Sequence, residues 1–294
     1  MTTAQRAEAD YARVCFAASR QVIGRYSTSF SLAVRLLPPR TAAQIAALYA
    51  MVRIADEVVD GAWPGVSAED KRAALDAYEA RIAEAVRTGH STDMVVHAFA
   101  LTARGAGIGA QEWHPFFESM RQDAAPAAHD EASLAAYIHG SAEVVGLMCV
   151  RIFTADLAPS PQESAQLDAG ACALGAAFQR INFLRDLGHD GGELGRSYLP
   201  RSARAFDEAA KGAEIAQIRM LLARAALAFP LLPARVRPAV RCAHALFAEL
   251  TDELERTPAD RLARTRVRVS NPRKVAVAAR ALRGSRGERG AERA

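Results

Sequence analysis

The sequence of 294 residues has few cysteines, few aromatic side chains and almost no lysine. Its four cysteines are far apart and form no C-x-x-C pair, which argues against a zinc site and a disulfide framework. Aromatic residues make up only 6% of the chain and alternating Val/Thr/Tyr runs are scarce, so sheets are not expected. The abundant residues are Ala, Leu and Arg, which are helix formers. We therefore predict an all-α protein whose cysteines are reduced core residues, namely Cys15, Cys149, Cys172 and Cys242.

The sequence shows no recognisable targeting or membrane-spanning segment. Residues 1–16 carry Arg6, Glu8, Asp10 and Arg13, where a signal peptide requires an unbroken apolar stretch. No segment approaches the roughly 20 uncharged apolar residues that cross a bilayer. From these patterns we expect a cytoplasmic protein.

Positive charge is concentrated at the end of the chain. The net charge is +4, but Arg261–Ala294 carries +9 and the rest of the chain −5. We predict a single helical domain over residues 1–283 and a disordered Arg-rich tail over 284–294. A tail of this kind could bind nucleic acid or an anionic membrane surface, but we favour the interpretation of a solvated end with incidental arginines. Peripheral contact with a membrane is expected on other grounds, and nucleic acid is not an expected partner.

The hydrophobic pattern predicts successive helices without an interdomain linker, with Thr41 as an N-cap and Gly61 just past a helix end. These helices cover about 8–25, 42–60, 67–88, 91–106, 111–123, 131–153, 161–187, 212–229, 233–256 and 271–283. No βαβ unit is visible, so we predict one helical bundle.

Two acidic pairs with the spacing Asp-x-x-x-Asp end two long apolar helices. They are Asp56/Asp60 and Asp186/Asp190, and on a helix each pair lies on one face. Adjacent carboxylates repel each other and favour a hard cation such as Mg²⁺, with Mn²⁺ as the alternative. The spacing alone is weak evidence, because it recurs at Glu249/Glu253 and Glu288/Glu292. We interpret the pair at 249/253 as an ordinary solvated face.

Neighbouring residues strengthen the prediction of a metal and diphosphate site. Asn182 precedes Asp186 by one helical turn and adds a third oxygen donor to that face. Arg53 and Arg185 lie beside the two acidic pairs, where they can bind phosphate oxygens or neutralise the acids.

Four blocks resemble the squalene/phytoene synthase family, and they follow one another in the family's order. Tyr26–Pro38 resembles the S-x-S-F…L-L-P block, and Ile45–Asp60 the first aspartate-rich motif. Tyr137–Met148 resembles the Y-x-x-x-x-A-x-x-V-G block, and Gln179–Pro200 the second aspartate motif with its trailing G-R-x-Y-L-P. One departure is His189, which stands where the family commonly has Glu.

The resemblance implies an isoprenoid synthase type helical bundle with both acidic pairs facing a central apolar cavity. It implies that Mg²⁺ is held against the substrate diphosphates by Asp56, Asp60, Asn182, Asp186 and Asp190. Positions that contact or flank substrate are implied at Ser27, Ser29, Phe30, Arg53, Gln179, Arg185, Arg196 and Tyr198. Tyr49 and Tyr137 are implied in the catalytic cavity, with core packing of a satisfied hydroxyl as the alternative for both.

The activity implied by the resemblance is head-to-head condensation of two geranylgeranyl diphosphates to phytoene in carotenoid biosynthesis. The intermediate is a cyclopropylcarbinyl diphosphate, and no NADPH is expected. The alternatives are squalene, hydroxysqualene or diapophytoene synthesis from farnesyl diphosphate, since chain length depends on the packing around Phe30, Val34, Val145 and Met148. An alternative of another class is a non-catalytic protein of a membrane-associated assembly, against which the intact acidic pairs argue.

Overall fold

A computed structural model describes residues 2–61, 63–125, 129–192, 206–262 and 264–291. For residues 188–192 and 282–291 only the backbone is described. In the described ranges there are helices and turns but no strand, which confirms the all-α prediction. The helices are α1 Thr3–Tyr26, α2 Thr28–Val34, α3 Pro39–Asp60, α4 Ala68–Thr88, α5 Met94–Ala106, α6 Ala110–Asp123, α7 Glu131–Ile138, α8 Val144–Thr154, α9 Pro161–Gly192, α10 Glu208–Ala226, α11 Arg237–Arg256, α12 Ala259–Leu262 and α13 Asn271–Ala291.

Local sequence explains most helix ends. Asp93 caps α5 by accepting hydrogen bonds from two backbone N–H groups, and α4 ends at Gly89, whose φ of 81° is the left-handed conformation that glycine favours. The predicted N-cap at Thr41 is wrong, because α3 already begins at Pro39 and Thr41 is buried in its first turn. Proline is preferred at the first helical position, where its missing N–H costs no hydrogen bond.

The stretch predicted as one helix over 131–153 contains a wider turn. Five residues, His139–Glu143, form a π-helical segment that joins α7 to α8. Gly140 packs there against α6, since a Cβ at this position would lie 2.3 Å from the carbonyl oxygen of Pro115. By length and composition alone, Glu131–Thr154 is apolar enough to cross a membrane, contrary to the expectation from the sequence. Its packing against α6 and α9 is typical of a helix at the centre of a bundle.

Two main hydrophobic clusters form the core of the described part of the chain. One is built largely from α3, α4, α5, α6 and α8, and the other from α7, α9, α10 and α11. Helix α9 packs closely against α8 at Gly146 and against the π-helical segment at Gly175, where a Cβ would lie 2.6 Å from the carbonyl oxygens of Ala171 and Ala142, respectively. The four cysteines are free, as predicted, and Cys15 and Cys242 are buried.

The end of the chain differs from the prediction. A disordered tail was predicted from residue 284, whereas the backbone of α13 is helical through Ala291. Before α13, residues 266–270 have no helical structure, and Val267 and Val269 pack against the second core cluster. The exposed side chains of Arg266 and Arg268 alternate with them, as in an extended segment. This segment, residues 264–270, is called the basic strap below.

Candidate active site

In the middle turns of α3, one face is partly accessible while the residues beside it are buried. Ile45, Tyr49, Val52 and Asp56 follow one another at helical spacing and are half-buried. The residues between them include Ala46, Ala47, Leu48, Ala50 and Met51, and each is at most 1% exposed. We interpret this half-buried stripe as the side of α3 that faces the candidate site, with Asp56 near the end of the stripe.

Helix α9 has a matching stripe. Leu174, Phe178, Asn182 and Asp186 lie four residues apart and are half-buried, whereas Ala177, Ile181 and Leu184 are fully buried. The stripe therefore changes from apolar to oxygen-bearing side chains along the helix. Asp190 is one turn further on in α9, and its side chain lies outside the described residues.

The junction between α1 and α2 connects the two stripes. The ring of Phe30 lies 6.3 Å from Tyr49 of α3 and 5.9 Å from Phe178 of α9, measured between centroids. Ser27 is the N-cap of α2 and accepts a hydrogen bond from the backbone N–H of Phe30 at 3.1 Å. Phe30 thus brings the apolar halves of the two stripes together, and its contact with substrate stays a prediction.

Cys149 of α8 is half-buried and packs against the first core cluster, and desolvation raises the pKa of its thiol to about 12. Of the four residues predicted to set the cavity depth, Phe30, Val34 and Val145 are partly accessible and Met148 is fully buried.

At the acidic end of α3 the cation comes from the same helix. The Arg53 guanidinium pairs with Glu57 one turn later and lies 4.4 Å above the ring centroid of Tyr26. Its partial burial opposes the charged form, but Asp56 and Glu57 outweigh this effect and raise the pKa of Arg53. Burial, reinforced by the Asp56 carboxylate, also raises the pKa of the Tyr49 phenol, which shares a hydrogen bond with Ser27.

At the acidic end of α9 two arginines hold one carboxylate. Arg185 Nη2 lies 2.6 Å from Asp186 Oδ2, and Arg266 Nε of the basic strap lies 2.7 Å from Asp186 Oδ1. Burial together with the nearby Arg185 lowers the pKa of Arg266, although Asp186 acts in the opposite direction. The cations outnumber the described acids here, so this end of the site attracts an anion.

The structure adds cations that were not predicted. Lys274 of α13 donates a hydrogen bond to Thr28 Oγ1 at 2.7 Å, and burial together with Arg185 and Arg268 lowers its pKa. Arg266, Arg268 and Lys274 thus surround the α9 end of the site. The alternation Arg264-x-Arg266-x-Arg268 was the signal in the sequence, but only packing brings it beside Asp186.

Tyr137 is placed differently from the other predicted residues. It is 3% exposed, its hydroxyl donates to the buried Asp123 Oδ2 at 2.7 Å, and its ring lies 6.2 Å from Phe183. These contacts are those of the packed, satisfied tyrosine considered as the alternative. Tyr49, in contrast, lies on the accessible stripe of α3.

The remaining predicted positions divide into two groups. Ser29 of α2, and Gln179 and Asn182 of α9, are half-buried on helices that border the site. Arg196 and Tyr198 lie outside the described residues.

The interpretation of Glu249/Glu253 as a solvated face is wrong for Glu249. This side chain is 7% exposed in total and accepts hydrogen bonds from Arg273 Nε at 2.7 Å and Nη2 at 3.3 Å. The contact joins α11 to α13 immediately before Lys274. A helical-face argument failed because α13 covers the side of α11 that was expected to meet solvent.

Comparisons with known proteins agree with this architecture. The chain is 34% identical over 185 residues to phytoene synthase 3 of Zea mays and 35% identical over 191 residues to phytoene synthase 1 of Solanum lycopersicum. These matches cover 62% and 63% of the chain but only 41% and 44% of the two relatives, so the chain spans less than half their length.

Solved structures of similar fold include a dehydrosqualene synthase, with a TM-score of 0.78, 23% identity and coverage of 94% of this chain and 98% of that one. A squalene synthase of Alicyclobacillus acidocaldarius gives a TM-score of 0.70 at 21% identity, covering 83% and 94% of the two chains. The family model for squalene/phytoene synthase matches residues 23–273. The chain belongs to the squalene/phytoene synthase family.

Proposed function

We propose that this protein is a prenyltransferase that condenses two geranylgeranyl diphosphates head to head to phytoene. The observation that carries the proposal is the pair of stripes on α3 and α9, each of which changes from apolar side chains to carboxylates along its helix. An allylic diphosphate has the same polarity, because a long hydrocarbon chain ends in a strongly anionic group.

The acidic residues suit Mg²⁺, with Mn²⁺ as the alternative, because their donors are oxygens. Asp56, Asp60, Asn182, Asp186 and Asp190 would hold it. Among the described side chains no three acids, histidines or cysteines form a ready metal cluster, so diphosphate oxygens would complete the ligand set. When bound, the metal would neutralise the diphosphate and make it a better leaving group.

The cations of the site would bind the two diphosphates. The α9 end is surrounded by Arg185, Arg266 and Lys274. When diphosphate binds, Arg185 and Arg266 would exchange their hydrogen bonds with Asp186 for hydrogen bonds with the phosphate oxygens. Arg53 serves the α3 end, beside Asp56. Guanidinium groups suit this task because they bind phosphate oxygens through two parallel N–H donors.

The apolar halves of the stripes would protect the carbocations. Breaking the C1–O bond of the first substrate releases diphosphate and gives an allylic cation, and the double bond of the second substrate attacks it. Loss of a proton leaves the cyclopropylcarbinyl diphosphate, and loss of the second diphosphate, rearrangement and a second proton loss give phytoene. Water would quench either cation, so Ile45, Leu174 and Phe178 exclude it from the reacting carbons.

Geranylgeranyl diphosphate is preferred because the relatives in the sequence comparison are named phytoene synthases. Farnesyl diphosphate is the second candidate substrate, since the proteins of similar fold include squalene and dehydrosqualene synthases. For the proposed reaction no NADPH is needed, because proton loss rather than hydride addition ends it.

The test is incubation of the full chain and Mg²⁺ with geranylgeranyl diphosphate or farnesyl diphosphate, each with and without NADPH, followed by mass analysis of the hydrocarbon extract. A C40 product that forms without NADPH is expected. A C30 product would replace the proposal by a squalene or dehydrosqualene type of activity. No product from either substrate would favour the non-catalytic assembly protein.

The hydrocarbon product suggests where the protein works. Phytoene is insoluble in water, so we place the protein in the cytoplasm with peripheral contact to a membrane that receives the product.

A further inference from the structure

We infer that a surface cavity between α1, α3 and α5 binds a small organic diphosphate, outside the candidate active site. The cavity has a volume of about 400 Å³, which is within the range of clefts that bind small molecules. None of the residues that line it belongs to the acidic pairs or to the cations beside them. The inference therefore does not depend on the proposed function.

One apolar cluster joins the three helices beside the cavity. Cys15 of α1, Ala47 of α3 and Ala98 of α5 are fully buried and form this cluster. Phe16 packs against the cluster and also lines the cavity. The apolar part of the lining consists of Phe16, Ala43 and Leu101. This wall is held in place by core packing, so the cavity does not depend on the conformation of an exposed loop.

Three arginines from two helices line the same cavity. Arg13 and Arg20 come from α1, and Arg40 comes from the first turn of α3. Arg13 pairs with Asp10, but the two side chains are 74% and 66% exposed, so this ion pair is weak. Among the described residues, Arg20 and Arg40 have no acidic partner. The cavity therefore carries a positive charge that Asp10 offsets only in part.

A second surface cavity of the same volume lacks this excess of cations. It is lined by Arg81 and Glu84 of α4 and by His90, so an acid accompanies its arginine. Arg81 also lies 4.0 Å from Asp93. The unneutralised charge is thus a property of the first cavity and is not shared by every depression on this Arg-rich surface.

The residues of the first cavity favour an organic diphosphate as the ligand. A single arginine can bind a carboxylate through two parallel N–H donors, whereas the oxygens of a diphosphate can engage several guanidinium groups at once. Phe16 and Leu101 offer an apolar surface to a flat ring or a short hydrocarbon group, and the amide of Gln44 adds a donor and an acceptor. A nucleotide and a short prenyl diphosphate share this combination of an anionic head and a less polar body.

The cavity lies on the opposite side of α3 from the candidate active site. Arg40 and Ala43 are about half a turn around the helix from the half-buried stripe that contains Ile45 and Tyr49. The beginning of α3 also has no side-chain cap, and the partial positive charge of a helix N-terminus attracts an anion. A diphosphate in this cavity would therefore be separate from one that the acidic pairs hold.

The first experiment is titration calorimetry of the full chain with ADP, isopentenyl diphosphate and inorganic diphosphate. EDTA is present, so that the acidic pairs cannot hold a ligand through a metal. At least one of the two esters should bind more tightly than inorganic diphosphate, because only an ester can contact the apolar wall. The ester with the higher affinity identifies the ligand as a nucleotide or a prenyl diphosphate. Equal affinities for all three compounds, or no binding of either ester, would overturn the inference.

A pair of double variants tests the arginines of the cavity. Arg20→Gln/Arg40→Gln should weaken binding of the ester at least about tenfold, because two charge-assisted contacts are lost. Arg6→Gln/Arg72→Gln makes the same change of charge at two exposed arginines that do not line the cavity, and it should keep the wild-type affinity. Equal losses in the two double variants would show binding to general surface charge and would contradict a built site.

A cavity-filling variant separates the space from its charges. Ala43→Phe keeps all three arginines but places a ring in the cavity, so we expect loss of ester binding, with thermal unfolding as the check that the variant folds. Hydrogen exchange of the wild type localises the ligand without any substitution. Bound ester should slow exchange at residues 13–20 and 40–44, and slowed exchange at 182–187 instead would place the ligand at the α9 end and reject the inference. Neither readout uses product formation, so a failed product assay leaves both unaffected.

Discussion

At the end of α3 the cation beside the acids belongs to the same helix, whereas at the end of α9 one of the two cations comes from 80 residues further along the chain. Arg53 is only 25% exposed and already paired with Glu57, while Arg266 is 49% exposed on the basic strap. The two acidic pairs therefore look equivalent in sequence, but the arginine at the α9 end is more accessible to a ligand than the arginine at the α3 end. We expect substrate diphosphate to displace the ion pair of Arg266 more readily than the ion pair of Arg53.

The largest effect is expected from the acids themselves. Asp56→Asn and Asp186→Asn should each lower kcat/KM by about 10²–10³, because each removes a charge that holds the metal and diphosphate. Steady-state product formation measures this, with Asp156→Asn, an exposed carboxylate on the α8–α9 connection, as the unchanged control. Full activity in both site variants would reject the assignment of the acidic pairs.

Substitutions of the arginines should have different effects at the two ends of the site. Arg266→Gln should raise KM about tenfold with little change in thermal stability, because a charge-assisted hydrogen bond to diphosphate is lost. Arg53→Gln should lower both activity and Tm, because it also leaves Glu57 without its partner. Arg219→Gln removes a similarly exposed arginine from an ion pair between α10 and α11 and serves as the control. Equal behaviour of Arg53→Gln and Arg266→Gln would remove the distinction between the two ends.

We expect Glu249 to affect the α9 end by positioning Lys274 rather than by contacting substrate. Glu249→Gln weakens the link between α11 and Arg273, and we expect a loss of about 1–3 kcal/mol in stability and a moderate rise in KM through a displaced Lys274. Thermal unfolding and steady-state kinetics measure the two effects. Glu253→Gln, on the same helix but more exposed, should change neither stability nor KM. Unchanged stability of Glu249→Gln would show that the pair of Glu249 and Arg273 does not stabilise the fold.

The smallest effect is a pH dependence confined to the α9 end. Because the pKa of Lys274 is lowered by burial and by Arg185 and Arg268, its ammonium loses its proton at a lower pH than an ordinary lysine. KM should therefore rise several-fold as the pH is raised toward the usual lysine range. Lys274→Arg should remove this rise, since a guanidinium stays charged. A rise that persists in Lys274→Arg would assign it to another group.

The helices and the acidic pairs could be predicted from the spacing of residues close together in the sequence. Spacing of apolar residues placed most helices within a few residues of their bounds, because a face of period 3.6 must be buried. The i,i+4 spacing placed Asp56 with Asp60 on one helix without reference to the rest of the chain. Short helices escaped the same reasoning, since the seven residues of α2 are too few to show a period.

Contacts between distant segments were decided only by the tertiary structure. No local pattern shows that the basic strap reaches Asp186 or that α13 buries Glu249. Each of these depends on how helices pack across tens or hundreds of residues, where side-chain fit and not spacing determines which charges meet. The sequence by itself thus determined the fold class and placed the acids of the candidate site together with Arg53 and Arg185, whereas packing added Arg266, Arg268 and Lys274, because these cations approach the acids only through contacts between distant segments.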